Sequence, residues 1–286
     1  MMKNLRTSLL VVLSLLLPVL TQAQEQSLLW KVSGKDLSSP SYVYGTMHML
    51  CAQDFQMPEK LQSALAESQT LVLELNPMDP AVMAEMQPLM MNPGMENIYK
   101  GLAAEDYALI DSTLKVHFGA GLDQVGIMKP MVLSSMLTMA VMLPCEAKIS
   151  VDGILAQQAT ESEKPIQSLE TATYQMSIFD EIPNALQIDE MLRSLGEEGF
   201  EEFEALKKAY FAEDLQALAK LMNDNEMVRQ YEETFLLQRN RNWAEALPAL
   251  MQEGSCLVAV GAGHLPGAEG LLQLLKKAGY TLEPVL

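Results

Sequence analysis

Short apolar runs recur along this 286-residue chain, each followed by a turn and then a stretch of helical spacing. Few folds accommodate that alternation. The runs lie at 28–32, 41–47, 70–75, 165–170, 256–260 and 280–285. Between them, 58–68 places Leu61, Ala64 and Leu65 on one side of a helix, and 152–162, 174–195, 200–222, 226–252 and 267–278 also read as helices. The stretch 80–143 is helical and rich in methionine, broken at Pro93-Gly94, 119–121 and Pro130. The expected fold is α/β: a central, mostly parallel or mixed sheet with flanking helices and a large helical insertion at about 77–164. No repeat, low-complexity tract or linker interrupts 24–286, so a single domain is expected there.

Residues 1–23 read as a processing signal. Lys3 and Arg6 precede an apolar stretch, 9–20, interrupted by Pro18, and Thr21-Gln22-Ala23 offers small residues for cleavage. The protein is therefore expected outside the cytoplasm, secreted or periplasmic, without stable membrane insertion. Losing Lys3 and Arg6 with the leader takes the formal charge from −18 to −20. Such acidity excludes nucleic acid and anionic membrane surfaces as expected partners. A peptide or small molecule is the expected substrate, and the oligomeric state is not legible.

Three cysteines are an odd number for an oxidising compartment. The favoured arrangement is a Cys51–Cys145 disulfide with Cys256, inside an apolar strand, buried and reduced. Cys51 as a metal ligand beside His48 is the alternative.

Two of the three histidines close strand-like runs in the same way: Gly45-Thr46-Met47-His48 and Gly261-Ala262-Gly263-His264. Carboxyl ends of strands are where α/β folds gather ligands. Two imidazoles delivered there can share a divalent ion; zinc, manganese and cobalt all suit such donors. Glu74, in the apolar run 71–75, needs a cation, a metal or several donors if it is buried. It reads as ligand or general base, or as half of a plain ion pair. Glu170 ends another run, either at the same edge or as a solvated turn. Asp152 reads as a helix cap, and His117 as a residue at a helix end with no part in the chemistry. Arg239 shares a helix face with Phe235 and Trp243, so it either stacks and pairs with an acid or steadies negative charge on a substrate, with Asn240 beside it to orient a ligand. Arg241 and Asn242 are expected to face solvent. The 21 methionines include Met83, Met86, Met90, Met136, Met139 and Met142 at helical spacing, which reads as core packing or as an apolar lid. The whole set describes metal-assisted hydrolysis. A haem- or ligand-binding crevice served by Tyr42 and Tyr44 is the competing reading.

The segments Tyr-Val-Tyr-Gly-Thr-Met-His (42–48), Leu-Val-Leu-Glu-Leu (71–75), Ser-Leu-Glu-Thr (168–171), Gln-Arg-Asn (238–240) and Val-Ala-Val-Gly-Ala-Gly-His-Leu-Pro-Gly (258–267) resemble the TraB/GumN family, relatives of the Tiki metalloproteases. The resemblance implies an α/β core like that of the erythromycin esterases and haem-binding ChaN lipoproteins, and a metal-dependent peptidase. It matches His48 and His264 to metal histidines and Glu74 to the acidic position. Glu170, Arg239 and Asn240 match further family positions. Gln238 stands where the family more often has glutamate.

Overall fold

The structure is a computed structural model and describes residues 26–286; the expected leader lies outside the described residues. The chain opens with strands β1 (Leu29–Ser33), β2 (Ser41–Thr46) and the two-residue β3 (Leu50–Cys51), then helix α1 (Glu59–Glu67) and strand β4 (Thr70–Leu73). A helical region follows: α2 (Pro80–Leu89), α3 (Ala104–Phe118), α4 (Leu122–Val125) and α5 (Pro130–Met142). Strand β5 (Lys148–Ile149) and helix α6 (Val151–Glu161) lead to β6 (Ile166–Ser168). Helices α7 (Ala172–Asp180), α8 (Asn184–Ser194), α9 (Glu197–Phe211), α10 (Leu215–Asp224), α11 (Glu226–Gln230) and α12 (Gln238–Glu253) precede β7 (Cys256–Gly261), α13 (Leu271–Lys277) and β8 (Thr281–Pro284).

Six strands form one sheet in the order β6-β4-β7-β2-β1-β8. β6, β4, β7 and β2 run parallel; β1 joins β2 antiparallel and β8 joins β1 antiparallel, so β1 runs against the other five. Every residue of β2 and β7 is buried, which is why neither strand alternates apolar with charged positions. Leu29, Val43, Leu71, Leu257, Val258 and Val260 anchor the core around the sheet. A second cluster, including Tyr99, Ile110, Leu114, Leu133 and Met191, holds the helical region together and draws on α8 as well as on the expected insertion.

Several boundaries differ from expectation. Each of the three long helices read at 174–195, 200–222 and 226–252 is broken. Pro183 interrupts the first, since its ring removes a donor the helix needs. Glu213 breaks the second with φ +53°, and its carboxylate accepts from Leu28 N and from Lys60, so a tertiary contact overrides local helical spacing. The third gives way to a π-helical turn, Glu233–Leu237. The methionines are mostly not core. Met83 is 47 % exposed and α2 buries none of its residues, although Met142 is buried and Met136 packs against the helical cluster. His117 lies exposed in the last turn of α3, which Gly119 ends in a left-handed conformation. Among the described residues no helix is long and apolar enough to cross a membrane.

Cys51 and Cys145 are joined as favoured, and Cys256 is free and buried. The bridge spans 94 residues and ties the helical region to β3, which begins two residues after His48. Cross-links of long loops typically contribute about 2–4 kcal/mol. A Cys145→Ser variant is therefore expected to lower the urea unfolding free energy by about that much; an unchanged midpoint would show that the reduced chain is already held by packing.

Candidate active site

Parallel strands end on the same side, so the residues just beyond β2, β4, β6 and β7 come together at one edge. β2 pairs β7 from Tyr42↔Leu257 to Thr46↔Gly261, which brings the two glycine-histidine turns side by side. Gly45 makes this possible: a Cβ there would meet the Ala262 Cα, the Ala262 Cβ and a Leu265 methyl at 3.0 Å each. Gly261 keeps the next space open. A Cβ on it would lie 3.3 Å from Glu74 Oε1, 3.3 Å from His48 Nε2 and 3.6 Å from the His264 ring. The two histidines and the acid thus converge on a cradle that glycine keeps open and a methyl would crowd.

Glu74 lies one residue beyond β4 rather than inside a strand. Its Oε1 accepts from Gly261 N at 2.7 Å and its Oε2 from Arg239 Nη2 at 2.5 Å. Burial alone would raise its pKa; His264, Arg239 and His48, in that order, and the Gly261 N–H bring it down to about 2. Near neutrality the charges facing it are those of Arg239 and His48, because the His264 ring is held neutral.

His264 sits in the turn Ala262–His264 after β7. Arg239 Nη1 can only donate, so at 3.1 Å it meets the lone pair of His264 Nε2, and His264 Nδ1–H donates to Asn240 Oδ1 at 2.7 Å. Burial pushes the ring down to about 3, with Arg239 and His48 adding to the effect against Glu74. Trp243 packs on the same ring at 4.4 Å. Asn240 is itself fixed through Nδ2 to the Glu269 carbonyl.

Arg239 lies at the centre. Its Nε and Nη2 reach the two oxygens of Glu170 at 2.7 and 2.8 Å, and its guanidinium sits 4.9 Å over the Trp243 ring. Trp243 Nε1 and Gln175 Nε2 also donate to Glu170, so both of its oxygens are occupied. Its pKa is raised, mainly by burial, against the pull of Arg239. Phe235 does not stack as the face pattern suggested. Its carbonyl accepts from Arg239 Nη1, and its ring packs on Phe179 at 6.1 Å. The π-helical turn just before α12 sets this up, as such turns commonly do at functional sites. Arg241 is only partly exposed, pairing with Glu233 and Glu269, while Asn242 is exposed.

His48 forms the open wall of the site, with its side chain 63 % exposed. Its Nδ1 bonds Asp152 Oδ2 at 3.0 Å. Partial loss of solvation lowers its pKa, but the Asp152 hydrogen bond and the Asp152 and Glu74 charges outweigh this and raise it to about 9. Asp152 is not the helix cap the sequence suggested; Ser150 fills that role by accepting from Gly153 N. Gln175, on α7, also escaped the sequence reading, since no local pattern marks a glutamine 101 residues from its partner Glu74.

Tyr42 and Tyr44 do not line a crevice. Tyr42 donates to Glu67, and Tyr44 shares a hydrogen bond with Tyr210, both rings buried. A cavity of about 240 Å³ lies beside the site, bounded by Leu169, Glu170, Thr171, Tyr174, Asn242 and Trp243. As they stand, the described residues hold no group of three His, Cys, Asp or Glu close enough to grip a metal ion.

No curated protein and no solved structure matches the chain. The sequence profile of the TraB/PrgY/gumN family does, over residues 28–284, a span that takes in all six strands of the sheet. The chain belongs to the TraB/PrgY/gumN family.

Proposed function

We propose that this chain is a metal-dependent hydrolase whose substrate is a peptide, working outside the cytoplasm once the leader at 1–23 has been removed. The reading is carried by the Gly261 cradle, around which His48 Nε2, Glu74 Oε1 and the His264 ring converge. The donors fit a divalent ion in kind: two imidazoles and a carboxylate, with each ring held through Nδ1 by a fixed acceptor, Asp152 or Asn240. Zinc, manganese and cobalt all accept such a set. His264 is already neutral, and His48 gives up one proton on ligating.

Bound there, the ion would polarise a carbonyl and lower the pKa of water towards about 7. The chain's own residues divide the remaining work. Glu74, ionised through the physiological range, is ligand or proton acceptor. Glu170 holds the planar guanidinium in place, so the Arg239 Nη1 N–H that now meets His264 Nε2 would be freed, once that lone pair ligates, for the negative charge that develops on the substrate oxygen. Asn240 keeps the His264 lone pair aimed inward. The neighbouring cavity, at about 240 Å³, falls below the roughly 300–1,000 Å³ of sites that engulf a whole small molecule. It suits one side chain of a peptide lying across the surface. With both tyrosine hydroxyls engaged, the haem-binding alternative lacks a supporting observation.

Protein equilibrated with manganese, cobalt or zinc and then desalted is expected to carry about one equivalent of metal, the occupancy of a single three-donor site. Chelation should abolish peptide cleavage, and the same ion should restore it. Gly261→Ala, whose methyl would enter the cradle, is expected to fold and lose the metal. Elemental analysis showing no metal in the parent protein would remove the reading.

A further inference from the structure

Asp152 is placed to do more than start a helix. Its side chain is only 11 % exposed, and its oxygens reach across to the β2 segment: Oδ2 meets His48 Nδ1 at 3.0 Å and Oδ1 accepts from Thr46 Oγ1 at 2.9 Å. Ser150 Oγ approaches Oδ2 from the helix side at 3.4 Å. A carboxylate withdrawn from water and held by donors from two segments is fixed in direction. His48, by contrast, is largely exposed, and Asp152 is its hydrogen-bond partner among the described residues.

The meeting of these residues, 104 apart in the chain, has a visible cause. β3 and β5 form a two-stranded antiparallel ladder, Leu50↔Ile149 and Cys51↔Lys148, extended by Ala52 N donating to the Ala147 carbonyl. His48 precedes this ladder on one strand and Asp152 follows it on the other, so both leave from the same end. A ladder this short is marginal on its own, and the Cys51–Cys145 bridge clamps it.

We propose that Asp152 is a positioning residue for His48: it holds the ring through Nδ1 so that Nε2 faces the Gly261 cradle, and the disulfide-clamped ladder delivers it there. This rests on the metal-centre reading above. Carboxylate partners of metal-bound histidines are typically worth about 10–100-fold in affinity.

The test uses cobalt(II) as probe, with affinity from calorimetry and proton spectra of the cobalt-loaded protein. The parent should show a hyperfine-shifted His48 Nδ1–H resonance protected from solvent exchange. Asp152→Ala should lose that protection and weaken cobalt binding by about 10–100-fold. Asp152→Asn, whose Oδ1 can still accept, should retain protection and fall between the two. Paired Cys51→Ser and Cys145→Ser changes should weaken binding in the same direction by less. Cobalt affinity in Asp152→Ala within about twofold of the parent, well short of the roughly 10–100-fold such a partner supplies, would overturn the proposal. If that variant does not fold, the parent alone decides, because an unprotected His48 Nδ1–H also overturns it. His264→Ala separates this inference from the reading beneath it. Cobalt bound by neither parent nor His264→Ala ends both; cobalt bound by parent and Asp152→Ala alike, but not by His264→Ala, ends only the positioning role.

Discussion

Replacing His264 with alanine is expected to abolish divalent-metal binding and peptide cleavage while the fold stands. The ring presents Nε2 towards Glu74 Oε1 at 3.9 Å, and Asn240 fixes its tautomer with that lone pair facing in. Removing a ligand costs more than removing a ligand's partner, so the affinity loss should exceed the roughly 10–100-fold typical of partners. The structural cost is smaller. Asn240 Oδ1 loses its donor and Trp243 loses a packing surface, an effect of about 1–3 kcal/mol for the unsatisfied group. Calorimetric titration with manganese or cobalt, beside far-ultraviolet circular dichroism, reads both. Parent-like affinity in a folded variant would place the metal elsewhere or nowhere.

Arg239→Met should have the largest effect on stability. The guanidinium lies between two buried carboxylates, bonding both oxygens of Glu170 and one of Glu74. Breaking a buried ion pair from one side typically costs about 3–5 kcal/mol, because the stranded charge keeps its desolvation penalty. The loss should depend on pH in a defined direction. Glu74 is held at about 2, below its ordinary 4.5, so its contribution to stability is complete above about pH 4.5 and disappears as pH falls towards 2. The gap between parent and Arg239→Met is therefore widest near neutrality and narrows through that acidic window. Urea unfolding at pH 7 and pH 3 measures it, and equal gaps at the two would contradict the assignment. Arg239→Lys should recover only part of the deficit, since an ammonium cannot span both acids with a planar fork.

Much of the edge that carries these residues was legible in the amino-acid order. The apolar runs ending before His48, near Glu74, before Glu170 and before His264 are all strands, and their parallel arrangement places those residues together. Roles were harder to read. Asp152 looked like a cap because a short acid near the start of a helix usually is one; only its reach to His48 shows otherwise. Phe235 and Trp243 share a helix face with Arg239, yet the π-helical turn spends Phe235 on Phe179 and leaves its carbonyl for the arginine. The helix breaks at Pro183 and Glu213 have different origins. The first is written in the proline itself, whereas the second comes from the acid's contacts with Leu28 and Lys60.

The order of residues by itself determined where strands end, which side chains follow them and why glycine precedes each histidine turn, because periodicity and turn chemistry depend on near neighbours. Tertiary structure alone decided the Thr46↔Gly261 register, the antiparallel pairing of β1 with β2 and β8, and the convergence of Asp152 on His48 and of Arg239 on two acids. Those pairings join residues as far apart as Trp30 and Pro284, 254 positions along the chain. Their free energy comes from packing, desolvation and loop closure across the whole molecule, and no local pattern along the chain records it.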